Sequence, residues 1–248
     1  MKKQKTLFII GAVIFLIGIC ALVVYISLFF FGNDPKPQVE EPSSSVSSQV
    51  ELPDNPIDFA TLKEKNTDIY AWIKIPGTSV DYPILQSDDE PEDYYLNHDE
   101  EGKYKFAGSI YTQKLNSKAF TDPNTLIYGH NMNNGSMFAS LHKFRNKEFF
   151  DNNKYMYIYT PGHILTYEIY AAYRFDNRHI LYAYDFTDKE VFAEYIEMTK
   201  NPKSAIVNVR EETNVTENDR IVTLSTCITS DDYRYMVQGV LINDQPTK

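Results

Sequence analysis

The alternation of apolar and polar positions divides this 248-residue chain into three stretches. Leu7 to Phe31 reads LFIIGAVIFLIGICALVVYISLFFF, twenty-five residues without a charge. At about 1.5 Å per residue that run can cross a hydrocarbon core of about 30 Å. Lysines 2, 3 and 5 precede it, and basic residues stay cytoplasmic. The pattern therefore predicts a cytoplasmic tail over 1–6, a transmembrane anchor over 7–31 and the rest of the chain outside, a single-pass protein of the cell membrane. A cleavable signal peptide fits less well, because its apolar region spans only about 7–15 residues and ends in a small-residue cleavage site. Over 32–56 the residues are mostly Asn, Asp, Pro, Glu and Ser, with almost nothing to bury, so a flexible spacer is expected.

Residues 57–248 are expected to form one extracytoplasmic domain. Ile57 to Tyr70 has mixed apolar spacing that suits a short entry helix. Nine runs then have strand character: WIKIPG, VDYPIL, FAGSIYT, NTLIYG, YMYIYTP, LTYEIYAAYRF, AIVNV, RIVTLSTC and RYMVQGVLI. Gly, Pro, Asn or Asp separate them. Two segments read as helices. Ser136 to Phe150 lines up Phe138, Leu141 and Phe144, and Asp185 to Lys200 repeats Val191, Tyr195 and Met198 behind the capping candidates Thr187 and Asp188. No fixed repeat is visible, which argues against a propeller or solenoid. The expected class is all-β with added helices, a closed or nearly closed barrel.

Composition sharpens this picture. With 43% hydrophobic and 23% charged residues the chain can build a sizeable core, and 14% aromatic content suits strands that are buried on one face. The net charge of −10 makes nucleic acid an improbable partner. Of the two cysteines, Cys20 lies inside the apolar run, so Cys227 is left as a lone extracytoplasmic thiol, either a dimer link or a reactive group.

Cys227 ends the run Ile221-Val-Thr-Leu-Ser-Thr-Cys, where a strand would leave its sheet. A thiol becomes a good nucleophile when its proton is taken or its pKa is lowered, so a histidine and a cation are sought nearby. Among five histidines, His130 stands at the end of an apolar strand in YGHNM. His98 (acidic loop), His142 (amphipathic helix), His163 (Pro-Gly turn) and His179 (beside Arg178) occupy ordinary solvated settings. Arg234 heads the last strand seven residues after Cys227, where its guanidinium can hold an oxyanion; Arg220, before the cysteine strand, is the weaker substitute. No His-x-x-x-His or cysteine pair suggests a metal, and the acidic stretches 88–93 and 99–101 read as solvated loops rather than calcium ligands.

TLSTC, the upstream YGHNM and an arginine at the head of the final strand resemble the sortases, and TLSTC with the long 185–200 helix favours class B. The DPW or DPF lid motif of class C is missing from 33–70. The histidine precedes the cysteine, the reverse of papain-like enzymes, and the caspase QACxG is absent. The resemblance implies a closed β-barrel of about eight strands, with an N-terminal helical extension and a long helix before the penultimate strand. It also implies a cysteine transpeptidase without cofactor or metal, with Cys227, His130 and Arg234 as catalytic residues. Its partners would be secreted surface proteins with an NPxTx-like sorting signal, a peptidoglycan precursor or cross-bridge amine, and the membrane through the N-terminal helix, in a Gram-positive envelope. Leu96, Tyr128, Tyr182 and Ser225 are the expected substrate-lining residues; Leu96 and Tyr128 read equally well as core. A pilin polymerase using a lysine acceptor, a hydrolysing cysteine peptidase and an inactive wall-binding domain are the rival readings.

Overall fold

The nine apolar runs all become strands in the computed structural model, which describes residues 52–228 and 232–248. They are β1 (Ile69–Lys74), β2 (Asp81–Leu85), β3 (Ile110–Thr112), β4 (Asn124–Tyr128), β5 (Tyr155–Thr160), β6 (His163–Asp176), β7 (Val207–Val209), β8 (Ile221–Cys227) and β9 (Tyr233–Pro246). Hydrogen bonding runs β5-β1-β2-β3-β4-β8-β9-β6, and the β5–β6 pairing closes the ring into an eight-stranded barrel. The short β7 adds to the free side of β6. Two neighbour pairs, β2–β3 and β4–β8, are parallel.

Period-two alternation sorts β8 between two apolar environments. Val222 and Leu224 point into the barrel with Ile73, Ile127, Ile158 and Val237. Ile221 points outward into a second cluster with Leu126, Met236, Phe192 and Tyr195. Both faces are covered, and for that reason the strand reads as an almost continuous apolar run. The outer cover is the helix Lys189–Lys200.

Helix α1 (Phe59–Lys65) is shorter than the expected 57–70 segment. Asp58 caps it by accepting from Thr61 N, and Ile69 already belongs to β1. The expected helix over 136–150 is instead a 3-10 helix (Ala139–Arg145) followed by α2 (Lys147–Asn152). The reason lies in its stripe: Phe138, Leu141 and Phe144 recur every three residues, the 3-10 period, and all are buried. Asn146 stands extended between the two helices and caps the second through Phe149 N. A further short helix, α3 (Ile180–Ala183), precedes α4 (Lys189–Lys200). Asp188 caps α4 through the N–H groups of Glu190 and Val191. Its buried face is Phe192, Tyr195, Ile196 and Thr199; of the expected Val191-Tyr195-Met198 line only Tyr195 belongs to it, and Val191 and Met198 are half-buried. After α4 the chain makes β7 before reaching the penultimate strand β8.

The expected membrane localisation requires correction. Among the described residues no helix is long and apolar enough to cross a membrane. The longest of them, α4, has 12 residues and so reaches about 18 Å, short of a hydrocarbon core of about 30 Å. The expected tail, the anchor over 7–31 and most of the spacer over 32–56 lie outside the described residues. The single-pass localisation and the membrane as a partner are withdrawn.

Candidate active site

Strand register sets out the site. In the parallel β4–β8 pair Tyr128 stands opposite Ser225, and Gly129 N continues the ladder by donating to Ser225 O at 3.2 Å. One step of two residues further along each strand come His130 and Cys227. On the other side of β8, in the antiparallel pair with β9, Cys227 stands opposite Arg234. Adjacent strands lie about 4.8 Å apart, and partners in register share a face of the sheet. Strand order therefore brings the backbones that carry Cys227, His130 and Arg234 to the same end of the barrel. The outer face of β8 is closed over Ile221 by the α4 cluster, but Cys227 is only half-buried and unoxidised.

Gly129 makes the junction possible. A Cβ at this position would fall 2.5 Å from Ile110 Cδ1 and 2.7 Å from the Phe138 ring, so only glycine lets the strand pass there on its way to His130. His130 Nε2 lies 2.8 Å from the carbonyl oxygen of Leu96, and Phe106 stacks on the imidazole at 5.6 Å. A carbonyl carries no proton, so Nε2 must be the donor. In the neutral ring Nδ1 is then the nitrogen with the lone pair. Arg234 donates through Nη1 to the Tyr233 carbonyl at 3.0 Å, which fixes one edge of its fork.

One wall of the site is aromatic and polar. Tyr111 stacks on Tyr128 at 5.3 Å, the Tyr128 hydroxyl lies 3.3 Å from His179 Nε2, and the same nitrogen lies 2.5 Å from Gln113 Oε1. The Tyr182 ring sits 4.3 Å from that of His179. Burial raises the Tyr111 and Tyr128 hydroxyls well above the ordinary phenol range, so both stay neutral hydrogen-bonding groups. Burial also holds His179 below the usual histidine value, against the opposing charge of Glu92.

Of the four expected lining residues, Tyr182 is the most open at 68% exposure, Leu96 is exposed at 40%, Tyr128 is half-buried, and Ser225 at 4% lies beneath the surface. Leu96 joins the site through its backbone oxygen, and Tyr182 joins it through His179. Arg220 drops out as a substitute for Arg234. It precedes the far end of β8, about 23 Å from Cys227 at about 3.3 Å per residue, and is occupied by Phe120 O and Asp244. His98 stacks on Tyr94 at 3.9 Å, and His163 pairs with Asp244 at 2.7 Å.

His142 was missed. Its Nε2 lies 3.1 Å from the backbone oxygen of Cys227, on a 3-10 helix whose stripe had suggested only a solvated position. Gln113, His179 and Phe106 were missed as well. Nothing local marks any of them, because it is strand order that brings them to the site. Among the described residues no group of three or more His, Cys, Asp or Glu side chains is placed to hold a metal ion.

Comparison with known proteins bears on the chain and its fold as a whole. The sortase domain model matches residues 73–242. A sortase B of Listeria monocytogenes is 38% identical over 190 residues, covering 75% of this chain and 74% of that protein. A sortase B of Staphylococcus aureus is 31% identical over 169 residues, covering 68% of this chain and 67% of that one. The X-ray structure of Clostridium perfringens sortase B superposes with a TM-score of 0.67 at 34% identity, covering 75% of this chain and all of the other.

Proposed function

Since the chain belongs to the sortase family, class B, and is a cysteine transpeptidase, we propose that Cys227, His130 and Arg234 carry its reaction on an NPxTx-like sorting signal. Sorting-signal substrates and an amine nucleophile come with the family. The Cys227 thiolate attacks the threonine carbonyl carbon, and the carbonyl electron pair moves onto oxygen. Arg234 and backbone N–H groups beside Cys227 hold that oxyanion. As the C–N bond breaks, His130 Nδ1–H protonates the departing amine and a thioester remains on sulfur. The incoming amine then attacks the thioester, His130 takes its proton, and sulfur leaves as thiolate. The acceptor we propose is a peptidoglycan stem or cross-bridge amine, which competes with water by being positioned.

The observation that carries this reading is the register, with Cys227 opposite Arg234 on one side and one step beyond the Tyr128–Ser225 pair on the other. The test is transfer by the purified chain of the acyl half of an NPxTx peptide to a peptidoglycan-type amine, followed by mass spectrometry. Wild type should form the adduct, and Cys227→Ala and His130→Ala should lower its rate by about 10⁴-fold or more. Cleavage that ignores added amine would instead make the protein a peptidase. Transfer only to a pilin lysine would make it a pilin polymerase.

A further inference from the structure

The β4–β8 ladder is one donor short at the nucleophile. Ser225 O receives Gly129 N, and Cys227 O, two residues on, points to the same side. No β4 residue meets it there, because the chain turns away after His130; Asn131 bridges Met137, and Phe138 N closes on His130 O at 2.8 Å. The same turn brings back the 3-10 helix, and His142 Nε2–H occupies the missing position at 3.1 Å from Cys227 O.

A planar trans peptide points its C=O and N–H in opposite directions. With the Cys227 oxygen held toward His142, the Ile228 N–H of the same peptide points the other way, toward the β9 side where Arg234 stands. We propose that His142 is a positioning residue: by replacing the absent ladder donor it aims the Ile228 N–H at the oxyanion that forms when Cys227 attacks. This rests on the transpeptidase reading above.

The surroundings favour this role over direct proton transfer. His142 Nδ1 is shut off from solvent with no hydrogen-bond partner among the described residues, and its other nitrogen is committed to the Cys227 oxygen. The Tyr235 ring lies 5.0 Å away, with the Arg145 guanidinium over that same ring at 5.2 Å. Burial and the Arg145 charge lower the affinity of His142 for a second proton. It is therefore a neutral, fixed donor.

Two variants of the full chain test this. His142→Phe keeps a ring and removes the N–H, and His142→Gln restores an amide N–H at similar reach. For the Phe variant we expect kcat for transfer to fall on the order of 10- to 100-fold, with KM within about twofold. The Gln variant should return to within roughly threefold of wild type. Alkylation of Cys227 by iodoacetamide should change little in either, and the Ile228 amide resonance should move in the Phe variant and return in the Gln variant. Full kcat in the Phe variant overturns the proposal. So does equal loss in both variants with earlier melting, which marks packing alone, or alkylation falling in step with kcat, which places the effect on the thiol. If wild type transfers nothing, the functional reading fails, and the ring nitrogens of His142 still decide the contact. A proton on Nε2 supports it, and one on Nδ1 overturns it.

Discussion

Two pairs on the same face of the same two strands behave in opposite ways. Thr223 faces Gln238 and, four residues on, Cys227 faces Arg234. At the first pair Thr223 Oγ1 lies 2.7 Å from Gln238 Oε1, and Gln238 Nε2 donates to the hydroxyls of Tyr173 and Tyr195 at 3.0 Å each. Thr223 and Gln238 are both fully buried, beneath the cluster to which α4 contributes. At the second pair Cys227 is only half-buried and Arg234 is not buried either. The backbone scaffold is common to both. A closed polar network stabilises and stays inert, whereas an uncovered one can act on a substrate.

Substitutions at each pair sharpen that contrast. The largest effect is expected at the open end. Arg234→Ala should lower the transfer rate by about 10²- to 10³-fold, as loss of an oxyanion donor does, with the melting temperature nearly unchanged. Arg234→Lys should recover only part of it, since an ammonium lacks the planar fork. Equal stopped-assay rates for all three proteins would remove Arg234 from the reaction. At the closed end Gln238→Leu should cost about 1–3 kcal/mol in urea unfolding, because the Tyr173 and Tyr195 hydroxyls lose their shared partner. Activity per folded molecule should be retained, and a parallel loss of activity would show that the two ends are coupled.

The smallest expected effect is that of pH. Burial holds His142 and His179 below the ordinary histidine value, so in the window beneath about pH 6.5 the unfolded chain binds more protons than the folded one. Stability therefore rises with pH through that window and is lost as pH falls. Thermal melts between pH 7 and pH 5 should show the loss, and the His142→Gln, His179→Gln double variant should flatten it. An unchanged slope would assign it to other groups.

How much of this could be read beforehand differs from element to element. Every strand was legible, because strands covered on one or both faces leave apolar runs bounded by turn residues. The 136–150 segment was misread as one helix although its apolar stripe has the three-residue 3-10 period, and the extended Asn146 that divides it in two shows only in the packed fold. Cys227, His130 and Arg234 were legible as types at strand ends, whereas the order that puts β4 and β9 on either side of β8 was not.

By itself the sequence determined the strands, a capped helix within 185–200 and the identity of a lone thiol with one histidine and one arginine as candidates, because these follow from side-chain chemistry and period. Tertiary structure alone decided that the ring closes through β5 and β6, that Arg220 ends far from the thiol and that His142 stands behind it. Those facts depend on strand order and register, which are settled by contacts between residues as far apart as His142 and Cys227 and leave no trace in local spacing.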